Sequence, residues 1–180
     1  MAHVLEPAAS GRAKCRGCGK SLPRGELRFG ERIENPFAEG ETTLWFHPAC
    51  AAYKRPEALL ELLAAPADVP ERETLERTAR ASSSHRRLPR IDGAERAPSG
   101  QARCRSCRQA IERGTWRIRL VFYEEGRFSA GGSVHLDCRQ AYFERADLLE
   151  HLLRFSPDLT DDERAELARA CESVPPPARS

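Results

Sequence analysis

Two sets of metal-ligating side chains stand out in the sequence. Cys15-Arg16-Gly17-Cys18 is followed by His47-Pro48-Ala49-Cys50, and Cys104-Arg105-Ser106-Cys107 by His135-Leu136-Asp137-Cys138. Written as spacings these are C-x2-C-x28-H-x2-C and C-x2-C-x27-H-x2-C. Three thiolates and one imidazole are the donor set of a tetrahedral Zn²⁺ site, in which each close pair clamps one side of the ion. All four positions are taken by protein, so no coordination site is left to activate a water, and the expected ions are structural. A thioredoxin-type redox pair needs neither the His-x2-Cys partner nor a duplicate.

The cysteine pairs repeat at an offset of 89 residues and the histidines at 88. The repetition runs past the ligands. Ser21-Leu22-Pro23-Arg24-Gly25-Glu26-Leu27-Arg28 aligns with Ala110-Ile111-Glu112-Arg113-Gly114-Thr115-Trp116-Arg117, and Ala58–Leu63 with Asp147–Leu152. This is an internal duplication. Each copy is short and poor in large apolar side chains, and such units usually need a staple.

The elements that position the ligands follow from the pattern. Leu27–Ile33 and Trp116–Tyr123 alternate Arg with β-branched and aromatic residues and predict half-exposed strands. Leu44–Phe46 and Ser133–His135 predict short strands delivering the histidines. Gly30, Pro36, Gly40 and Glu124-Glu125-Gly126 predict turns. Helices are expected to begin near each second ligand pair, over 56–65 and 146–155, and over 70–80. Thr160-Asp161-Asp162-Glu163 predicts a capping box opening a last helix with Leu167, Cys171 and Val174 on one face. The fold class is small zinc-stapled α+β domains in tandem, each a short antiparallel sheet plus helices. The expected divisions are a flexible N-terminus at 1–10, fingers at 11–80 and 101–173, a flexible linker at 81–100 and a disordered tail at 174–180.

The chain has 180 residues, 40% hydrophobic and 31% charged, with a net charge of +2. No apolar run reaches the ~20 residues of a membrane span. The first residues lack the basic start and apolar stretch of a secretory signal, and seven reduced thiols fit an intracellular chain better than a disulfide framework. Residues 11–55 and 101–145 each hold 9 basic and 5 acidic side chains, whereas 146–180 holds 4 and 8. Positive charge thus gathers around the cysteines. Arg outnumbers Lys 26 to 3, a bias that a GC-rich genome also produces. With the compact layout it favours a bacterial cytoplasm or nucleoid over a eukaryotic nucleus. Cys171 reads as a small core residue, and His3, His85 and His151 have no ligand-like partners. No nucleophile–base pattern, phosphate-cradling glycine loop or paired acidic motif points to an enzyme.

Arg28 and Arg32, like Arg117 and Arg119, are spaced to project to one side of a strand, where guanidinium forks suit phosphate oxygens. Such contacts release counterions and favour backbone over base-sequence recognition.

Ala13-Lys14-Cys15-x2-Cys18, Ser21–Arg28 and Trp45-Phe46-His47-x2-Cys50 together resemble a poly(ADP-ribose) polymerase-type zinc finger, and the second copy resembles it too. The resemblance spans about 11–80 and 101–172. It implies a non-catalytic finger that binds DNA strand breaks, nicks or ends, as in repair or break sensing, beside a possible repair-enzyme partner. It also implies basic contacts at Arg12 and Arg28; in the second copy Arg117 matches the later position, Gln101 occupies the earlier one, and Arg103 is the residue expected to compensate. Apolar stacking on an exposed base falls to Phe37, next to the aligned positions Ala38 and Thr42, and to Phe128. The competing reading, from a different class, is a zinc-stabilised adaptor that binds proteins through its acidic C-terminal helices.

Overall fold

The computed structural model describes residues 2–66 and 68–173; the tail expected at 174–180 lies outside them. The chain forms two compact units, one running up to Pro89 together with Glu124–Phe128, the other comprising Arg90–Tyr123 and the chain from Ser129 on.

In the first unit, β1 (Val4–Pro7), β2 (Leu27–Glu34) and β3 (Glu41–Phe46) form an antiparallel sheet in that order. Three helices follow: α1 (Pro48–Lys54), α2 (Pro56–Leu63) and α3 (Arg72–Ser83). Each of the first two opens on a proline at its first turn, where the missing N–H costs nothing. His47 is extended (φ −62°, ψ 140°), as the residue before a proline tends to be. Phe29, Phe46, Leu59 and Leu63 fill the core.

Gly30 lies inside β2 and not in a turn. A Cβ there would come within 2.7 Å of the Trp45 ring and 2.8 Å of Thr43 and Val4 side-chain carbons, so the glycine serves close packing across the sheet. Glu31, only 3% exposed, accepts two hydrogen bonds from Arg55, from Nε at 2.7 Å and Nη2 at 2.6 Å. Truncating one partner of such a pair strands the other's buried charge. Arg55→Ala is expected to cost about 3–5 kcal/mol, read from urea unfolding followed by Trp45 emission in a Trp116→Phe background.

β4 (Ile91–Arg96), β5 (Trp116–Glu124) and β6 (Arg127–His135) form a second three-stranded sheet, which belongs to the second unit except at Glu124 and Arg127–Phe128. The helices are α4 (Arg139–Phe143), α5 (Leu149–Arg154) and α6 (Asp161–Glu172). α6 opens on the expected capping box: Thr160 accepts from the Glu163 N–H, and Glu163 accepts from the Thr160 N–H at 2.8 Å. Leu167 is buried and Cys171 half-buried on its inner face.

The stretches expected to be flexible are corrected by two strands. The region 1–10 contributes β1, tied down further by His3, whose Nδ1 accepts from the Arg32 N–H and whose Nε2 lies 3.5 Å from Glu61. The region 81–100 holds the end of α3, a short helical turn at Leu88–Arg90, and β4. Their pairing is alike. Glu6 stands opposite Arg28, and Glu95 opposite Arg117. Ala8 bonds to Glu26 and Gly25 in the first unit as Ala97 does to Thr115 and Gly114 in the second. The duplicated unit therefore begins with a strand ahead of the cysteines.

Candidate zinc centres and charged surface

Each quartet is built from a ribbon and a helix start. Cys15 donates its N–H to Lys20 and accepts from Gly19, while Leu22 bonds to Ala13; Cys104, Gln109, Arg108, Ile111 and Ala102 repeat the pattern. The turn needs a left-handed residue, supplied by Gly19 (φ 75°) in one copy and Arg108 (φ 65°) in the other. β3 and β6 deliver the histidines, and the last cysteine sits on the first helical turn beyond.

In both quartets, Cys15/Cys18/His47/Cys50 and Cys104/Cys107/His135/Cys138, all four donor atoms lie within 4.8 Å of one another. His47 Nδ1 stands 3.4 Å from Cys18 Sγ and 3.8 Å from Cys50 Sγ; His135 Nδ1 stands 3.4 Å from Cys107 Sγ and 3.9 Å from Cys138 Sγ. A tetrahedron with Zn–S of about 2.3 Å and Zn–N of about 2.0 Å has S···N edges of about 3.5 Å. The donor sets fit zinc, and the chain holds two structural ions. Backbone N–H groups support the thiolates: His47 N–H donates to Cys15 Sγ at 3.4 Å and His135 N–H to Cys104 Sγ at 3.3 Å. His135 Nε2 stands 3.1 Å from the Ala110 carbonyl, which fixes the ring with Nδ1 toward the thiolates.

Against protons alone the donors would split. Hydrogen bonding to Cys15 holds the Cys18 thiol far below its usual range and drives Cys50 far above it. His47 is raised to about 10 by hydrogen bonds to Cys15 and Cys18. Burial, followed by the nearby Cys104 charge, pushes Cys138 up to about 12. Zinc binding at neutral pH therefore displaces protons from Cys50 and His47, and acid works in the opposite direction.

Three of the four arginines of β2 and β5, Arg28, Arg117 and Arg119, are engaged within the protein. Arg28, 8% exposed, donates to Glu6 at 2.7 Å and stacks 3.6 Å over Trp45. Arg117 donates to Glu95 from Nε at 3.0 Å. Arg119 donates to the Asp92 carbonyl at 2.7 Å and lies 3.7 Å from Glu95. Arg32 is exposed, so it does not share a solvent face with the covered Arg28. Arg12 and Arg103 are exposed. Phe37 is 66% exposed, with the Arg127 guanidinium 4.4 Å from its ring centroid. Phe128, grouped with the first unit, meets Phe46 edge-on at 6.3 Å. The sequence reading missed Glu6 and Glu95. Their signal was present, since they recur at the same 89-residue offset as Arg28 and Arg117.

The first quartet and its ribbon have a recognisable kin. Residues 6–82 match the Poly(ADP-ribose) polymerase and DNA-Ligase Zn-finger region. The matched segment of that finger region takes in part of β1 and nearly all of α3. Among curated proteins, the chain is 25% identical over 157 residues to Poly [ADP-ribose] polymerase of Drosophila melanogaster, covering 77% of this chain and 16% of that protein. It is 28% identical over 156 residues to the Sarcophaga peregrina protein of the same name, covering 74% and 16%. A shorter likeness, 35% over 48 residues, covers 27% of this chain and 5% of Poly [ADP-ribose] polymerase 1 of Gallus gallus. The chain thus spans only about a sixth of the length of the first two. The 77% share is more than residues 6–82 alone can fill. These sources are animals and lend no support to a bacterial origin. No helix among the described residues is long and apolar enough to cross a membrane.

Proposed function

We propose that this chain is a zinc-dependent DNA-binding protein that recognises strand breaks, nicks or ends and serves break sensing or repair inside the cell, without catalytic activity of its own. One observation carries the reading: the segment matching the finger region contains the whole first zinc quartet together with the sheet and helices around it. The second unit acts as a further finger of the same kind, a reading supported by the hydrogen-bond pattern repeated around its own quartet.

In this reading Arg12, Arg32 and Arg103 meet phosphates directly. Arg28, Arg117 and Arg119 reach phosphate only by giving up the carboxylates or carbonyls that now hold them. Base stacking at a discontinuity falls to the exposed ring of Phe37, and such stacking is worth about 1–3 kcal/mol per base. Phe128 contributes through its packing on Phe46. A repair enzyme acting on the marked break would be the natural partner.

The test compares nicked, blunt-ended and closed circular duplex of one sequence, with zinc-loaded protein, at several salt concentrations. Tighter binding to the nicked or ended forms is expected, with affinity falling steeply as salt rises. Equal affinity for all three would remove break recognition, and no binding at low salt would remove the DNA reading.

A further inference from the structure

Each sheet sets a carboxylate from its first strand against an arginine of its middle strand, and the two members of each pair are unequally placed. The Arg28 side chain is 10% exposed, and its guanidinium lies 3.6 Å over the Trp45 ring. Its partner Glu6, bonded at 2.7 Å, is 45% exposed and comes from the short edge strand β1. The second unit repeats the asymmetry. Arg117 is 15% exposed and donates to Glu95 from Nε at 3.0 Å, while Glu95 is 32% exposed on the edge strand β4. In each pair the cation is fixed and the anion is the member that water reaches.

An ion pair with one arm in water contributes little to folding. Glu6 also leaves its arginine incompletely satisfied. It takes the Nη2 donor, but the Arg28 Nε is buried and, among the described residues, has no hydrogen-bond partner. Nε and Nη2 form one edge of the guanidinium fork, the edge that Glu95 engages with both donors in the second unit. That edge suits two oxygens of one anion, and phosphate supplies them as readily as carboxylate does. An anion that satisfied both donors of Arg28 would also relieve its orphaned Nε–H.

We propose that Glu6 and Glu95 are displaceable phosphate mimics: each closes its arginine while the chain is free, and a backbone phosphate of the bound strand expels it. This rests on the nucleic-acid reading above and adds to it a brake built into the first strand of each sheet. Because the cation stays where it is, opening requires only that a half-exposed carboxylate swing into water. Glu95 is the tighter of the two, since Arg119 stands 3.7 Å from its second oxygen. The first unit therefore opens more easily than the second.

The experiment uses the full zinc-loaded chain and a fluorescein-labelled nicked duplex, with anisotropy read at ~0.15 M salt. Glu6→Gln and Glu95→Gln keep the side-chain shape and one acceptor oxygen but lose the charge. Each is expected to tighten binding about fivefold, the equivalent of one partly exposed ion pair that no longer has to be broken. Glu26→Gln and Glu112→Gln remove the same charge from exposed side chains in the turns before β2 and β5. Screening should hold their gain below about twofold. In an Arg117→Gln background, Glu95→Gln should gain no more than these controls, because the carboxylate acts through its arginine. The pair Glu6→Gln and Arg28→Gln repeats the cycle in the first unit. Retention of both zinc ions, read by atomic absorption, shows that each variant is folded. Unchanged or weaker binding by both glutamate variants, equal gains in the controls, or a gain that persists without the arginine overturns this proposal and leaves DNA binding standing. No binding by the parent chain even at ~0.01 M salt, where screening is weakest, overturns the reading beneath it and this proposal with it.

Discussion

Replacing Cys18 by Ser is expected to leave the chain with one tightly held zinc instead of two and to unfold the first sheet. The donor edges of 3.4 and 3.8 Å around His47 exist only because four polar side chains converge in a largely buried spot. Without the ion these donors must share protons, with His47 raised to about 10 and Cys50 driven up beside it. A structural zinc supplies about 10–16 kcal/mol of apparent binding energy at neutral pH. That is as large as the whole stability of a typical small domain, about 5–15 kcal/mol, so a unit that loses a ligand loses most of what holds it together. Metal content by atomic absorption gives the first readout. The chain has two tryptophans, Trp45 beside the first quartet and Trp116 in β5. In a Trp116→Phe background, Trp45 emission should move to that of a solvated indole on Cys18→Ser substitution, and equally on chelation of the parent. Two equivalents of zinc in Cys18→Ser, or native Trp45 emission after complete chelation, would end the structural role of the ion.

How far the fold could be read in advance depended on the kind of signal. The quartets were legible because coordination fixes residue type and spacing together. The capping box at Thr160 was legible because its two hydrogen bonds are local to four residues. β1 and β4 were not. Val4–Pro7 is four residues long, and Ile91–Arg96 carries a glycine and three charged side chains, so neither has a strand's alternation. They are strands because β2 and β5 offer them an edge, an interaction between distant residues. Gly93 shows the cost of reading such a segment locally. It looks like a loop glycine, yet a Cβ there would fall 2.2 Å from the Phe155 carbonyl oxygen. At that close approach the Ala94 N–H donates to Ser156 Oγ at 2.7 Å.

The charged surface was legible in its total and misleading in its detail. The arginines of β2 and β5 alternate as a phosphate-binding face would, but their carboxylate partners sit on strands that the pattern did not reveal. Glu6 lies 22 residues before Arg28, and Glu95 the same distance before Arg117. Pairing is a tertiary fact. Only once β1 and β4 are in place does it become clear which guanidinium groups are engaged and which, on the ribbons, face solvent.

The second large effect is expected at Arg139, which is 1% exposed and follows directly on the last zinc ligand, Cys138. The first copy has Ala51 at this place, fully buried. Arg139 reaches four carbonyls: Leu136 at 3.1 Å, Ala146 at 3.1 Å, and Cys171 and Ser173 both at 2.8 Å. The last two lie at the end of α6, where unpaired helix carbonyls carry partial negative charge. One buried cation thus ties the zinc-proximal turn to the last helix, a link that Ala51 cannot make. Hydrogen bonds from a charged donor contribute about 1.5–3 kcal/mol each, partly offset by the cost of burying the guanidinium. Arg139→Ala also leaves a cavity and several buried acceptors unsatisfied, and a loss of about 3–5 kcal/mol in the second unit is expected. Arg139→Met fills part of the volume without restoring a donor, so it should recover only the packing share, roughly a third of the deficit. Urea unfolding followed by Trp116 emission in a Trp45→Phe background measures both. Equal stability of Arg139→Met and the parent would show that the side chain acts by its bulk and not by its hydrogen bonds.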